Sequence, residues 1–314
     1  MESSKSQLNR YPRRRGLRLK RILQTIRALV PAVTAVVLAC AEGELREPIP
    51  TTLRVQVIPD QSEAVLRSRY APLLAYLKTK TGLDCELTVP ASYAEALDVF
   101  ARRAVDLAYF GGVTFVRAHR IAGATPFVMR AQDLRFTTVF LVRAGEPARS
   151  LEELHNRRIA FGSRLSTSGH WMPRQFLMNW NMKPETFFSE VHYTGAHDAT
   201  ADWVRDGKVD VGAANAQVVT RMLQDGRLKP GEVRILRESP PYADYVWAVQ
   251  PGLHPELRAR LRDAFLALSL ENTADAEVLK KLDATYFLPA RLEDFQDLTT
   301  ILDEIESGKA GEGV

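Results

Sequence analysis

Short strand-like runs alternate with longer helical runs along most of the chain. In the first half, alternating apolar positions predict strands at residues 53–58, 85–89, 105–110, 125–129 and 137–143. Apolar residues at helical spacing predict helices at 63–80 and 93–103, and Gly111-Gly112 marks the entry to a third helix. This alternation of strands and helices predicts an α/β lobe.

A second series of the same kind begins near residue 151. Strands are predicted at residues 158–161, 190–193, 209–213, 233–236 and 245–249, followed by a helical tail at 255–270, 274–282 and 292–305. We expect the chain to leave a first lobe near residue 143, to build a second lobe, and to return near residue 245. The first lobe then comprises residues 52–143 plus 245–314 and the second 144–244, joined by a two-segment hinge beside a cleft.

Composition adds size and charge to this picture. A chain of 314 residues with 46% apolar residues has enough material for a sizeable core divided over two lobes. The formal net charge is +4, but residues 1–39 hold nine Lys or Arg against one acid, a net +8, which leaves −4 on the rest. A nucleic-acid-binding function therefore loses its main support, because the excess of basic residues lies within residues 1–39.

The N-terminal segment resembles an export signal. A basic region precedes the apolar stretch 28–39, which is too short to span a bilayer as a helix, so residues 1–39 are predicted to be a signal peptide. The sequence Val37-Leu38-Ala39-Cys40 resembles the lipobox of bacterial lipoproteins, which implies that Cys40 carries the lipid. Residues 40–51 then form a lipid-anchored linker in the periplasm. A plain signal peptide is the alternative, and Sec and Tat export both stay open.

The other cysteine of the chain is Cys85. It lies in an alternating run that predicts a half-buried strand position. It has no partner cysteines at a spacing that would suit a metal site. The sequence therefore predicts neither a metal nor a cofactor.

Three consecutive hydroxyl residues, Ser166, Thr167 and Ser168, follow the predicted strand 158–161 and open a helical pattern. The first backbone N–H groups of a helix have no partner within the helix, and they attract anions. Hydroxyl groups at this position either cap the helix or donate to the oxygens of a ligand. The segment is therefore either a plain cap or a cradle for a small tetrahedral oxyanion.

Four further residues lie at element ends, where open α/β sheets place ligands. His197 begins the next helix of the same lobe, where it is either an anion donor or a surface histidine. Asp244 precedes the returning strand, where it is either a ligand residue or a solvated loop aspartate. A carboxylate that faces an anion favours a ligand with a proton to donate, such as a phosphorus oxyacid, over sulfate. Tyr93 and Tyr109 are ligand residues or core aromatics, with the core favoured for Tyr109.

These residues carry a resemblance to the phosphate/phosphite/phosphonate-binding proteins of ABC transporters, from about residue 53 to 270. Four segments occur in the order of that family: residues 106–111 (DLAYFG), 161–169 (FGSRLSTSG), 195–199 (GAHDA) and 239–245 (SPPYADY). The resemblance implies a type II periplasmic-binding-protein fold with two hinged α/β lobes. It also implies that the ligand oxygens are bound by five residues and approached by a tyrosine: Ser166, Thr167, Ser168, His197, Asp244 and Tyr93.

The chain departs from the phosphonate-binding members at two positions. Phe136 stands where they have a second tyrosine, and Gln217 lies near the place of a carboxylate that holds an aminoalkyl group. Without that carboxylate an aminoalkyl amine loses its counter-charge. The resemblance therefore favours phosphite or a small alkylphosphonate as the ligand.

Three functions follow from these interpretations. The first is a monomeric solute-binding lipoprotein that delivers a small phosphorus oxyanion to an ABC permease and its ATPase. The second is an oxyanion sensor that reports to a membrane histidine kinase. The third is an enzyme with Ser168, His197 and Asp244 as a triad, which is disfavoured because the Gly-x-Ser-x-Gly elbow is absent from the sequence.

Overall fold

The structure is a computed structural model that describes residues 49–306. The predicted signal peptide, Cys40 and most of the linker lie outside these residues. In chain order the strands are β1 Thr52–Val57, β2 Asp84–Thr88, β3 Leu107–Phe110, β4 Thr125–Arg130, β5 Thr138–Arg143, β6 Arg158–Phe161, β7 Glu190–Tyr193, β8 Val211–Asn215, β9 Val233–Glu238, β10 Val246–Val249 and β11 Phe287–Pro289.

Helices follow most of these strands. In chain order they are α1 Glu63–Thr81, α2 Tyr93–Ala101, α3 Gly112–Ala122, α4 Met172–Asn179, α5 Pro184–Phe187, α6 His197–Arg205, α7 Ala216–Gln224, α8 Pro255–Leu266, α9 Thr273–Lys281 and α10 Gln296–Glu306. A π-helical turn, Thr167–Trp171, leads directly into α4. Short 3-10 turns complete the described part, at Ala131–Arg135, Glu152–Leu154 and Leu292–Phe295.

Two separate sheets form the cores of two lobes. The first has the order β11-β4-β10-β3-β1-β2, with β1, β2 and β3 parallel and β10 antiparallel to both of its neighbours. Its central strands β3 and β10 are buried along their whole length, as expected for apolar runs with helices on both sides. The second sheet has the order β7-β6-β8-β5-β9. The structure therefore confirms the predicted α/β class with two lobes.

The lobe boundary differs from the prediction at one strand. We assigned residues 137–143 to the first lobe, but β5 pairs with β8 and β9 in the second sheet. The run Thr138–Arg143 is buried in all but its last residue, and such a run suits a central strand of either sheet. Its place is decided by partners some 70 to 100 residues further along the chain, which the local pattern does not contain. The short strand β11 was also missed.

The chain crosses between the lobes at residues near 136 and again near 242. These two crossing segments are joined by an antiparallel bridge, in which Phe136 N–H donates to Tyr242 O at 2.7 Å and Tyr242 N–H donates to Phe136 O at 3.0 Å. On the outgoing side the hinge therefore lies about seven residues earlier than predicted, near residue 136 rather than 143. Asp244 follows the bridge directly, so a predicted ligand residue lies on the hinge itself.

Two kinds of feature are absent from the described part of the chain. Among residues 49–306, no helix is long and apolar enough to cross a membrane. Within the same range, no group of three or more His, Cys, Asp or Glu is arranged to hold a metal ion. Cys85 is a free, half-buried thiol in β2, as predicted, and burial raises its pKa to about 11.

Candidate anion-binding site

The N-termini of several helical segments meet where the two lobes face each other. From the first lobe, α2 begins at Tyr93 and α3 at Gly112; from the second, the π-helical turn begins at Thr167 and α6 at His197. Direct hydrogen bonds join three of these termini, as described below. Each helix terminus contributes a partial positive charge and free N–H groups. The convergence creates a positive potential from dipoles and polar groups, which suits an anion.

The three hydroxyl residues are buried and have different partners. Ser166 Oγ caps the π-helical turn by accepting from Gly169 N–H at 3.0 Å. Thr167 Oγ1 accepts from Val113 N–H of the opposite lobe at 2.9 Å. Ser168 Oγ has no hydrogen-bond partner among the described residues. The two roles predicted for this segment, helix cap and anion cradle, therefore fall on different residues. Ser166 caps the turn, whereas the Ser168 hydroxyl is available to another partner.

His197 is fully buried, and its neighbours define which ring nitrogen carries the proton. Nδ1 accepts a hydrogen bond from Asn215 N–H at 3.2 Å, so Nδ1 is unprotonated. Burial lowers the pKa of the ring to about 3, so the imidazole is neutral and its proton lies on Nε2. Nε2 lies 3.5 Å from Ser166 Oγ and 3.4 Å from Tyr245 Oη, both long for a hydrogen bond. The Nε2–H donor therefore has only these two distant acceptors among the described residues.

Asp244 is also fully buried, and only half of its carboxyl group is satisfied. Oδ1 accepts from Gly112 N–H at the start of α3 at 2.8 Å. Oδ2 has no hydrogen-bond partner among residues 49–306. Burial raises the pKa of Asp244 to about 7, against the opposing effects of Gly112 N–H and of the Thr167 and Ser168 hydroxyl groups. The carboxyl group therefore holds or releases a proton near neutral pH. The Ser168 hydroxyl is near enough to oppose the rise of this pKa, although it forms no hydrogen bond of standard geometry among the described residues.

The two candidate tyrosines have different places. Tyr93 begins α2, is buried, and reaches Ser166 with a hydrogen bond that opposes the rise of its pKa caused by burial. Tyr109 lies in β3 behind the site, where its ring stacks on Tyr245 at 5.2 Å between centroids and 19° between planes. Tyr109 also packs against Trp247 at 4.9 Å. The core interpretation of Tyr109 is the one that these contacts support, whereas Tyr93 faces the hydroxyl segment.

Phe136 and Gln217 are the two positions at which the chain departs from the family that it resembles. Phe136 is buried on the hinge and packs on Tyr245 at 5.2 Å between ring centroids, so it supports the site with an apolar ring. Gln217 lies at the start of α7, where its N–H donates to Asn215 Oδ1 at 2.8 Å. This bond is made by the backbone N–H of Gln217, which places the start of α7 next to Asn215.

A polar network at the end of β1 was missed by the sequence analysis. Tyr245 Oη donates a hydrogen bond to Asp60 Oδ2 at 3.0 Å and accepts one from Asn215 Nδ2 at 3.0 Å. Burial raises the pKa of Asp60, whose Oδ1 has no partner in the described part of the chain. Gln61 is likewise buried with both side-chain polar atoms unpartnered there. Their position directly after a parallel strand was the available signal, because ligands collect at that edge.

A cavity of about 510 Å³ lies next to this network. Its walls come from both lobes and include Gln61 and Tyr93 on one side and Ser163, Thr194 and Asp198 on the other. Tyr93 belongs to the wall of the cavity and also contacts Ser166, so the cavity adjoins the hydroxyl segment. The cleft between the lobes therefore remains partly open at this end.

Gly169 allows the hydroxyl segment and the histidine to approach. A Cβ atom at this position would lie 2.9 Å from His197 Cε1, 3.0 Å from Ser166 Oγ and 3.3 Å from Gly162 Cα. We expect Gly169→Ala to displace His197 and to lower the free energy of unfolding by about 1–3 kcal/mol, as overpacking does. Chemical denaturation measures this cost, with Gly145→Ala as the control because a Cβ there meets nothing within 4 Å. An equal stability for the two variants would contradict the described packing.

Residues 55–295 match the family described as the periplasmic substrate-binding protein of phosphonate ABC transporters. The match covers most of the chain, and the chain belongs to this family. The family consists of binding proteins of the periplasm, so the protein is not an enzyme.

Individual relatives agree with this assignment. The chain is 28% identical over 265 residues to a probable ABC transporter phosphite-binding protein, PhnD1, of Prochlorococcus marinus, covering 80% of this chain and 89% of the relative. It is 28% identical over 233 residues to the phosphate-import protein PhnD of Mycolicibacterium smegmatis, covering 70% of this chain and 72% of the relative. The structure of PhnD1 in complex with methylphosphonate superposes with a TM-score of 0.77 at 27% identity, covering 83% of this chain and 99% of PhnD1. The predicted type II periplasmic-binding-protein fold is confirmed.

Proposed function

We propose that this protein captures a small phosphorus oxyanion between its two lobes and delivers it to the permease and ATPase of an ABC importer. Phosphite or a small alkylphosphonate is the favoured ligand, and phosphate is the third candidate. The observation that carries the proposal is the pair of unpartnered buried atoms, Ser168 Oγ and Asp244 Oδ2, beside the Nε2–H donor of His197. Buried polar atoms are normally hydrogen-bonded, so such a group of atoms is what a site for a polar ligand looks like.

The chemistry of these atoms favours a protonated anion. A carboxylate repels a fully ionised anion, but it accepts a hydrogen bond from an anion that still carries a proton. The hydroxyl groups of Ser168 and Thr167 and the imidazole N–H of His197 supply donors for the remaining oxygens. Tetrahedral oxyacids of phosphorus carry such a proton near neutral pH, and sulfate does not. Phosphite, methylphosphonate and phosphate share this property.

Titration calorimetry of the mature protein against four anions tests the proposal. We expect binding of phosphite, methylphosphonate or phosphate and much weaker binding of sulfate. Thermal unfolding in the presence of each anion provides a second measurement, because a ligand that binds only the folded state raises the unfolding temperature by mass action. A protein that binds none of the three phosphorus anions, or that prefers sulfate, would overturn the proposal.

Membrane attachment through a lipid on Cys40 and a monomeric state are parts of the same proposal. Fractionation of cells that express the full chain tests the attachment, with Cys40→Ser as the comparison. We expect the wild type with the membranes and the variant in the soluble periplasmic fraction. The sensor function stays an alternative, and reconstitution with the cognate permease separates it from transport: ligand-dependent ATPase stimulation supports transport, and its absence would favour sensing.

A further inference from the structure

One carboxylate of the second lobe reaches the first helix of the other lobe. Asp198 Oδ2 accepts a hydrogen bond from Ser62 N–H, the N-cap residue of α1, at 2.8 Å. Its other oxygen, Oδ1, accepts from Ala199 N–H at the start of its own helix, α6, at 2.8 Å. The same carboxylate therefore joins the N-termini of two helices that belong to different lobes.

Charge explains why an acid is needed at this contact. The helix α1 has 19 residues and α6 has nine, and the N-terminus of each carries a partial positive charge. When the lobes close, these like-signed termini approach each other, which opposes closure. A carboxylate between them is attracted by both and accepts N–H groups that have no partner within their helices. The Ser62 side chain does not cap α1, so Asp198 supplies the acceptor that this helix terminus lacks from its own N-cap residue.

A second hydrogen bond runs next to the first in the opposite sense. His197 N–H, at the start of α6, donates to Asp60 O, at the end of the segment that leads into α1, at 3.0 Å. Asp198 and His197 are adjacent in sequence, and their partners, Ser62 and Asp60, are two residues apart. The two bonds therefore form together when the lobes meet, and they place the ring of His197 beside Ser166.

We propose that Asp198 is a closure latch: it bridges the N-termini of α1 and α6 and stabilises the closed arrangement in which His197 reaches the anion. This inference rests on the proposed function, because closure on a ligand gives the latch its purpose. Asp198 is a positioning residue and acts through its neighbour His197. A latch that forms only in the closed state slows ligand release more than it speeds capture.

The two ends of the latch allow matched variants. Asp198→Ala removes the oxygen that accepts from Ser62 N–H, and Asp202→Ala is its control, since Asp202 is one turn further on α6 and pairs with Arg205 at 2.7 Å. Ser62→Pro removes the N–H donor at a residue whose φ of −59° already suits proline, and Ser62→Ala is its control because it keeps the N–H. The Ser62 variants lie in the other lobe, so they leave α6 and its own cap untouched.

Phosphite affinity and release rate are measured for each variant. We expect Asp198→Ala and Ser62→Pro each to weaken binding about 5-fold, mainly through faster release, while both controls stay within about 2-fold of the wild type. The double variant Asp198→Ala/Ser62→Pro should bind about as well as either single variant, because both substitutions remove the same hydrogen bond. The proposed latch would be overturned if Ser62→Pro released phosphite at the wild-type rate. It would also be overturned if the double variant lost as much affinity as the two single variants together.

Hydrogen exchange at the Ser62 amide tests the latch without relying on phosphite as the ligand. We expect Asp198→Ala to speed exchange of this amide and Asp202→Ala to leave it unchanged. If the wild type binds none of the phosphorus anions, the proposed function fails while this measurement still decides on the latch. An amide of Ser62 that exchanges equally fast in both variants would show that Asp198 does not hold it.

Discussion

Replacing Asp244 by asparagine is expected to lower the preference for phosphite over sulfate by about 100-fold. The carboxylate opposes sulfate because two negative groups without a shared proton repel each other, at a cost of several kcal/mol. Asparagine removes this repulsion and offers an N–H donor to a fully ionised oxygen. It also keeps an oxygen for Gly112 N–H, which Asp244 Oδ1 accepts at 2.8 Å, so the fold tolerates the change.

The same carboxyl group predicts how binding depends on pH. The folded protein without ligand binds the Asp244 proton up to about pH 7, whereas the ordinary pKa is 3.8, so this group lowers the stability as pH rises from 3.8 to about 7. The complex needs one proton between Asp244 and the ligand. Above about pH 7 both free partners lose that proton, since a phosphorus oxyanion releases its last acidic proton at about pH 6 to 7. We expect phosphite affinity to fall up to about tenfold per pH unit there.

His197 should add no step of its own to this profile. Its pKa is lowered to about 3 by burial, so the ring stays neutral across the pH range of the measurement. Asp244→Asn should therefore flatten the fall of affinity above pH 7, because the shared proton is gone. Calorimetry with phosphite and sulfate from pH 6 to 9 measures both effects, with Asp225→Asn as a control because Asp225 is paired with Arg227 at 2.8 Å. An unchanged ratio and an unchanged pH slope would remove Asp244 from the binding site.

Much of the fold was predictable because each element carries its own pattern. The predicted strands 158–161 and 190–193 coincide with β6 and β7 in every residue, and the predicted helix from residue 63 ends one residue before α1 does. The place of β5 was not predictable in this way. A buried run of apolar residues suits either sheet, and only pairing with β8 and β9, far along the chain, decides between them.

The site was predictable to a similar extent and for a similar reason. The hydroxyl segment, His197 and Asp244 lie at element ends. Their order along the chain matches that of the resembled family, and this match predicted them as ligand residues. What the sequence did not contain was the direction of each polar atom. Asp60 and Tyr245 are 185 residues apart and share a hydrogen bond at 3.0 Å, and this bond depends on how distant segments pack within the first lobe rather than on either segment alone.

The difference between the three hydroxyl groups gives the second large prediction. Ser168 Oγ has no partner among the described residues, whereas Ser166 Oγ caps a helical turn and Thr167 Oγ1 joins the lobes. A hydroxyl buried without a partner costs stability, so removing it does not weaken the protein without ligand. We therefore expect Ser168→Ala to leave the free energy of unfolding unchanged or to raise it slightly.

Ligand affinity should behave in the opposite way. A hydrogen bond between a hydroxyl group and a charged oxygen contributes about 1.5–3 kcal/mol, so Ser168→Ala should weaken phosphite binding about 10- to 150-fold. Ser166→Ala is the informative comparison, because it removes the cap of Gly169 N–H and should lower stability by about 1 kcal/mol as well as affinity. Urea unfolding without ligand and calorimetry with phosphite separate the two quantities. If Ser168→Ala loses stability and keeps its affinity, then Ser168 serves the fold and the anion is bound elsewhere.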